Sequence, residues 1–270
     1  MRIIHDLDPF LLRINGDVGL RWYSLPYLIG FLLAYRALIR AGERGELGGV
    51  TREAADRFLS YTVIGVLLGA RFFHVFVFEF SDYGFDPLAW IAVWRGGLSF
   101  HGGLTGALLA IAVFARQEGI SIYAVTDRLA VPVAIALGLG RIGNFINAEM
   151  WGTPYEGFLC VDYTQSTHLA NPPQGCRHPT QLYEMAKNFG IAGLLAYLGR
   201  RPLPPGLITW LFVGLYGAIR FMLMFVRDEV TVWQGLTLSQ IFSGLMALAA
   251  VLVLALMGAR LGAWRGARAG

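Results

Sequence analysis

Seven apolar stretches, each close to the length that a helix needs to cross a lipid bilayer, constrain the fold of this chain. Hydrophobic residues make up 56% of the sequence and charged residues 15%, whereas soluble domains carry about 25% charged residues. The sequence therefore predicts an all-α integral membrane protein with about seven transmembrane helices. We place these spans at residues 22–39, 58–80, 98–115, 125–146, 182–198, 207–226 and 238–256.

The arginines between the predicted spans indicate the orientation of the chain. The segments on one side carry ten arginines and those on the other side six, and the excess marks the cytoplasmic side. The N-terminus is therefore predicted to lie outside and the C-terminus inside, which requires an odd number of spans. The ten are Arg40, Arg44, Arg52, Arg57, Arg116, Arg200, Arg201, Arg260, Arg265 and Arg268, and the six are Arg2, Arg13, Arg21, Arg95, Arg177 and Arg227.

The net charge excludes some classes of function. The formal charge of +4 comes almost wholly from arginine, because Lys187 is the only lysine. In a membrane chain the position of charge matters more than its sum, and we predict no nucleic-acid partner. Residues 1–19 are mixed and polar rather than a secretory signal, so the first span is expected to stay in the mature protein. We treat residues 1–270 as one polytopic domain.

Residues 153–181, between the fourth and fifth spans, are the only outside segment long enough to form a small extracytoplasmic head. The segment contains several prolines and has little periodicity, so we expect it to be irregular. Cys160 and Cys176 both lie in it. The sequence leaves open whether they form a disulfide or remain free thiols.

The polar residues of the stretch 140–152 are the strongest indication of a functional site. Arg141, Asn144 and Asn147 are spaced by three, so they form a polar stripe if the helix continues, and Glu149 follows. Ionisable groups at membrane depth are costly and generally mark function. The alternative is that Arg141 and Glu149 merely pair at the membrane surface, which leaves both asparagines without a role.

A second arginine lies in another apolar span. Arg220 follows Tyr216 by four residues, which places both on one face of a helix. Arg141 and Arg220 thus predict two guanidinium groups on separate helices near the outer half of the membrane. The planar guanidinium binds phosphate through two hydrogen bonds and stays charged when buried. These features predict a protein that binds a lipid with a phosphate group.

His101 opens a predicted helix and is followed by Gly102 and Gly103, which leave the backbone uncovered. Helix N-termini attract anions, and a histidine exchanges protons near neutral pH. The alternatives are a histidine bound to a neighbouring helix and, from the spacing of Gly102 and Gly106, glycines for close helix packing. We predict no metal site, because no cluster of histidine, cysteine and carboxylate has ligand spacing, and we predict no cofactor. A Ser-His-Asp hydrolase is not indicated either, because its nucleophile motif is not visible.

Four segments together resemble the prolipoprotein diacylglyceryl transferase family, in its order and over nearly the whole chain. They are 99–103 (Ser-Phe-His-Gly-Gly), 140–152, 177–184 (Arg-His-Pro-Thr-Gln-Leu-Tyr-Glu) and 216–220 (Tyr-Gly-Ala-Ile-Arg). The resemblance implies a multi-pass enzyme of the bacterial inner membrane with its active site towards the outer half. Such enzymes move a diacylglyceryl group from phosphatidylglycerol to the lipobox cysteine of a prolipoprotein signal peptide, releasing glycerol phosphate.

The resemblance and the residue pattern together give the expected site. The expected catalytic residues are His101, Arg141, Arg220 and Tyr23, and the expected substrate contacts are Asn144, Asn147, Glu149, Gly102, Gly103, Gly152 and Tyr216. One position departs from the family pattern, which usually has a glutamate where this chain has Met224. Either another group such as Glu149 supplies that carboxylate, or the chain is a diverged paralogue that binds lipid or signal peptide with altered or no activity.

Overall fold

The computed structural model of the chain describes residues 2–15, 18–93 and 97–269, which are mostly helical. Within these residues a long helix lies at each of the seven predicted spans, and two short helices follow the second. The helices are α1 (Leu25–Glu43), α2 (Arg52–Phe78), α3 (Phe80–Tyr83), α4 (Pro87–Ile91), α5 (Phe100–Gln117), α6 (Ile122–Ile146), α7 (Thr180–Leu198), α8 (Leu207–Leu223) and α9 (Leu238–Ala269).

Five helical segments in the described part of the chain are long and apolar enough to cross a membrane. They are Trp22–Glu43, Arg52–Phe78, Ile122–Ile146, Leu207–Val226 and Leu238–Ala259. The other two long helices, α5 and α7, lie at the third and fifth predicted spans and are not among these five. The membrane character of the chain is confirmed, whereas the count of seven spans and the orientation stay predictions. Arg95, one of the outside arginines, lies outside the described residues.

Short strands outside the long helices correct the all-α prediction. Strand β1 (Arg2–Ile4) pairs in parallel with β4 (Cys160–Asp162), which pairs antiparallel with β5 (Cys176–Arg177). Two further antiparallel pairs are β2 (Phe10–Asn15) with β3 (Val18–Arg21), and β6 (Thr231–Trp233) with β7 (Leu236–Thr237). Strand pairing satisfies backbone groups in segments that are too short or too polar for long helices.

The segment 153–181 is therefore more ordered than the sequence predicted. A disulfide joins Cys160 to Cys176, which resolves the alternative that the sequence left open. Val161 and Tyr163 are fully buried and form a small core with Ala148, beneath the sheet that β1 completes. The prolines predicted an irregular segment, whereas pairing with the N-terminal strand β1 and the disulfide give it order.

The chain divides into two compact units, Met1–Gly30 with Ala130–Gly270, and Phe31–Leu129. In the second unit, the backbones of α2 and α5 lie close together. Glycine at positions 102 and 106 permits this, because a Cβ atom on Gly102 or Gly106 would collide with a carbonyl oxygen of α2. This agrees with the predicted use of such glycines for helix packing. Phe58 and Phe114 meet edge to face in the core of this unit, with their ring centroids 5.1 Å apart.

In the first unit, α7 and α8 pack against each other and α8 packs against α9. Ala130 and Ala134 of α6 join Ile191 and Leu195 of α7 in one buried apolar cluster with α8 residues. A Cβ atom on Gly217 would lie 2.7 Å from the Ser243 carbonyl oxygen, so the glycine permits the close approach of α8 and α9. This packing fixes the ends of α6, α7 and α8, which carry the polar groups described next.

Candidate active site

The site begins where α6 ends and the chain turns back on itself. The Asn147 N–H still donates to the Gly143 carbonyl oxygen at 2.9 Å, after which Ala148 and Met150 adopt left-handed conformations with φ of 50° and 60°. Such values are uncommon for residues other than glycine and are often found at functional sites. The turn brings the Glu149 N–H within 2.9 Å of the Asn144 carbonyl oxygen.

Two asparagine amides hold the carboxylate of Glu149. Asn144 Nδ2 donates to Oε2 at 2.9 Å, and Asn147 Nδ2 donates to Oε1 at 3.1 Å. Both asparagines are buried. The structure therefore gives both asparagines a role. The carboxylate of Glu149 contacts these amides rather than forming a simple pair with Arg141.

Arg141 points from α6 towards both the turn and α7. Its Nη1 donates to Asn144 Oδ1 at 3.1 Å and lies 3.0 Å from Met150 Sδ, while its Nε lies 3.7 Å from Glu184 Oε2. The side chain is 13% exposed, so the guanidinium is mostly withdrawn from solvent. Asn144 thus contacts Arg141 and Glu149 at once and fixes one relative to the other.

Glu184 of α7 is the carboxylate that joins the two predicted arginines. Besides Arg141 it contacts Arg220, whose Nη1 lies 3.3 Å from Oε1, and Lys187, whose Nζ lies 2.6 Å from Oε2. The sequence analysis gave no role to Glu184 or Lys187. The cost of ionisable groups inside an apolar helix would have identified both as candidates.

Tyr216 and Arg220 lie on one face of α8, as their spacing predicted. The Nζ atom of Lys187 lies 3.9 Å from the centroid of the Tyr216 ring, and the Arg220 Cζ atom lies 6.0 Å from it. A cation above an aromatic face is attracted by the ring quadrupole. The ring therefore forms one wall of the cationic site.

Tyr23 lies in a short 3₁₀ turn, Trp22–Ser24, immediately before α1. A Cβ atom on Gly143 would lie 2.9 Å from a carbon atom of the Tyr23 ring, so the absence of a side chain lets α6 approach the ring. The Tyr27 hydroxyl donates to the Tyr23 hydroxyl oxygen at 3.4 Å. Tyr23 is thereby placed beside the helix that carries Arg141.

Gly152 lies between two other segments of the site. Its N–H donates to the His178 carbonyl oxygen at 3.0 Å, and a Cβ atom there would lie 2.6 Å from the Val226 carbonyl oxygen. Gly152 and Arg227 also form an isolated antiparallel bridge. The structure gives Gly152 a packing role, and its contact with substrate stays a prediction.

Met224 is buried and lines a small cleft together with Arg141, Glu184 and Arg227. The sequence offers Glu149 as one possible replacement for a carboxylate at this position. In the structure the Glu149 oxygens bind two asparagine amides, and Glu184 is the carboxylate that contacts Arg220. Contact of Glu149 with substrate stays a prediction.

His101 lies in the second unit, in the first turn of α5, and its side chain is exposed. The Thr105 hydroxyl donates to its carbonyl oxygen at 2.9 Å, and the ring centroid of Phe73 lies 6.3 Å from that of His101. Gly102 and Gly103 are buried, and Gly102 faces the Gly69 backbone. Gly102 therefore serves close packing, whereas a Cβ atom on Gly103 would lie 3.6 Å from its nearest neighbours. Substrate binding by residues 101–103 stays a prediction.

The fold and the site together define a polytopic membrane protein with two partly buried arginines joined by one carboxylate. The sequence profile of the family described as prolipoprotein diacylglyceryl transferase matches residues 9–256. The chain belongs to the prolipoprotein diacylglyceryl transferase family, which confirms the resemblance seen in the sequence.

Relatives of similar length carry one name, phosphatidylglycerol–prolipoprotein diacylglyceryl transferase. The protein of that name from Neisseria gonorrhoeae is 37% identical over 246 residues, which cover 84% of this chain and 86% of the relative. The protein from Nitrosomonas europaea is 40% identical, covering 84% and 80%, and that from Bordetella avium is 36% identical, covering 82% of each.

Proposed function

We propose that this protein transfers the diacylglyceryl group of phosphatidylglycerol to the lipobox cysteine thiol of prolipoproteins. Its family membership and the printed name of its relatives support the reaction. The observation that carries the proposal is the pair of guanidinium groups, Arg141 and Arg220, which one carboxylate holds together. Two fixed cations of this kind suit a phosphate that gains charge as it leaves.

The reaction forms one bond and breaks one bond. The cysteine sulfur bonds to the terminal glyceryl carbon, the bond from that carbon to the phosphate oxygen breaks, and its electron pair leaves with glycerol phosphate. Arg141 and Arg220 stabilise the negative charge that grows on this phosphate. Asn144 holds oxygens of the head group, while Tyr23 and Tyr216 position the glyceryl region.

The thiol proton needs an acceptor, because the thiolate is the nucleophile and a free cysteine has a pKa of about 8.5. His101 is the residue that we propose as base or hydrogen-bond partner of the thiol. A positioned base of this kind contributes a factor of about a hundred or more. His101 lies in the first turn of α5 and is exposed.

In this proposal residues 1–270 form one polytopic domain of the bacterial cytoplasmic membrane with seven spans. The N-terminus and the head, 153–181, lie outside, and the C-terminus lies in the cytoplasm. The active site faces the outer half of the membrane, where phosphatidylglycerol and the signal peptide reach it from the surrounding lipid. The disulfide in the head agrees with an oxidising compartment.

The test is an assay of the purified protein in detergent with phosphatidylglycerol and a lipobox peptide. Release of glycerol phosphate is followed, and a peptide with serine in place of the cysteine is the control. Release that depends on the thiol is the expected result and shows that Met224 is tolerated. Release only from a Met224→Glu variant would identify a diverged paralogue, and release from neither would overturn the proposal.

A further inference from the structure

Lys187 is the most enclosed charge of the site, and the proposed mechanism gives it no role. Its side chain is 1% exposed, and that of its partner Glu184 is 4% exposed. A buried ammonium group is costly unless it is paired, and here it is paired at 2.6 Å with the carboxylate that also contacts both arginines. The only lysine of the chain thus lies at the centre of the arginine pair.

The arrangement poses an electrostatic problem that Lys187 solves. A carboxylate can hold two guanidinium groups in place, but its negative charge cancels one of the two positive charges that the phosphate needs. Lys187 adds one positive charge at the same carboxylate. Arg141 and Arg220 then keep their orientation through Glu184. Because Lys187 offsets the charge of Glu184, the net positive charge of these four side chains equals that of the two arginines alone.

We propose that Lys187 is a positioning residue that neutralises Glu184, so that both arginines act with full charge on the departing phosphate. This inference deepens the proposed function and rests on it. Lys187 acts through Glu184 and through the Tyr216 ring, whose centroid lies 3.9 Å from Nζ, rather than on the reacting atoms. Two other charged groups lie nearby: Glu149 accepts hydrogen bonds from two asparagine amides, and Arg227 lies 3.6 Å from Glu229.

The charge on the phosphate predicts which kinetic parameter depends on Lys187. Phosphatidylglycerol carries one negative charge on its phosphodiester, whereas the released phosphomonoester carries about 1.5 to 2 at neutral pH. Removal of one positive charge therefore weakens the transition state and the product complex more than the substrate complex. The Lys187→Met variant should lower kcat about tenfold or more and change KM about twofold at most.

The experiment compares four proteins in the thiol-dependent assay: the wild type, Lys187→Met, Glu184→Gln and the double variant that carries both changes. The double variant restores the net charge of the group, and the glutamine keeps an oxygen that accepts hydrogen bonds. We expect it to recover at least part of the kcat lost in Lys187→Met. The inhibition constant of glycerol phosphate should rise about tenfold in Lys187→Met and fall back in the double variant.

Three outcomes overturn the inference, and none of them is confused with failure of the function. Wild-type kinetics in Lys187→Met would show that Glu184 needs no counter-charge. A double variant as slow as Lys187→Met, or slower, would show that Lys187 serves packing rather than charge balance. Melting temperatures in detergent show whether Lys187→Met folds. If it does not fold, Lys187→Arg, which keeps the charge, is measured instead, and loss of activity in a folded Lys187→Arg is the third outcome.

If the wild type releases no glycerol phosphate, the proposed function fails by itself. Direct binding of glycerol phosphate, measured by calorimetry with the wild type and Lys187→Met, then still tests the charge role. Equal affinities in that measurement would overturn it, and weaker binding by the variant would support it.

Discussion

Glu184 Oε1 lies 3.3 Å from Arg220 Nη1, so a carboxylate of α7 fixes a guanidinium group of α8. Its other oxygen lies 3.7 Å from Arg141 Nε of α6 and 2.6 Å from Lys187 Nζ. One buried side chain thereby connects the three helices that carry the proposed phosphate site.

Arg220→Lys should lower activity about a hundredfold with little change in melting temperature. The lysine keeps a positive charge but loses the planar fork, so it cannot hold Glu184 and bind two phosphate oxygens together. Activity is measured as glycerol phosphate release in the thiol-dependent assay. Arg201→Lys is the matched control, because Arg201 is exposed and its guanidinium contacts the Tyr197 side chain, away from the site. Near-normal turnover of Arg220→Lys would show that diffuse positive charge is sufficient.

His101→Asn should lower turnover about a hundredfold, because asparagine cannot accept a proton from the thiol. The loss should be smaller at high pH, where more of the peptide thiol ionises without a base. Turnover is measured between about pH 6 and pH 9, across the range in which histidine and thiol titrate. His178→Asn serves as a comparison on the other unit. A His101→Asn variant with wild-type turnover over this range would exclude His101 as the base.

The glycines of the stretch 140–152 should differ in their tolerance of alanine. A Cβ atom on Gly143 would lie 2.9 Å from a Tyr23 ring carbon, and one on Gly152 would lie 2.6 Å from the Val226 carbonyl oxygen. A Cβ atom on Gly140 would have no atom of another segment within 4 Å. Gly143→Ala and Gly152→Ala should therefore lower both melting temperature and activity. Gly140→Ala should retain both, and equal effects at all three positions would contradict the packing described here.

Much of this architecture could be predicted from the sequence. Apolar length located the seven long helices, and the cost of intramembrane charge identified Arg141 and Arg220, because both signals are local. The spacing of Tyr216 and Arg220 correctly placed them on one face of α8. Local signals failed where partners come from distant segments: Glu184 appeared only as the last residue of the segment 177–184, although it joins both arginines.

The order of the head, residues 153–181, also depends on a partner from a distant segment. Its strands form because β1, from the N-terminus, adds to β4, and because a disulfide holds β4 beside β5. The strand β1 is not visible in the composition of residues 153–181, and the two cysteines there left a disulfide open without deciding it. Likewise the sequence suggested Glu149 as a partner of an arginine, whereas the left-handed turn at Ala148 directs it to two asparagine amides.

The disulfide should stabilise the head by about 3 kcal/mol, because it closes a loop of 16 residues. Thermal unfolding in detergent, with and without reductant, measures this contribution. The chain has only two cysteines, so reductant acts on this bond alone. A double variant, Cys160→Ala with Cys176→Ala, should match the reduced wild type and be insensitive to reductant. A melting temperature that reductant leaves unchanged would contradict the prediction.

His5 should make the stability of the protein sensitive to acid. It is buried, its Nε2 lies 2.8 Å from the Phe145 carbonyl oxygen, and its Nδ1 lies 2.7 Å from the Ser166 hydroxyl oxygen. Burial lowers the pKa of His5, although the hydrogen bond to Phe145 opposes this effect. The folded protein therefore keeps His5 neutral at a pH where the unfolded chain, with a pKa of about 6.5, already binds a proton. Stability must fall as the pH drops through about 6.5, because the unfolded state then binds more protons.

The comparison of the wild type with His5→Gln isolates this contribution. Other histidines titrate in both proteins, so the difference between their melting temperatures depends on His5 alone. We expect the wild type to lose more stability than the variant between about pH 7.5 and pH 5.5. Because His5 holds the carbonyl of Phe145, next to Asn144, the acid-induced loss should be accompanied by a loss of activity. Parallel curves for the two proteins would show that His5 is not held neutral in the folded state.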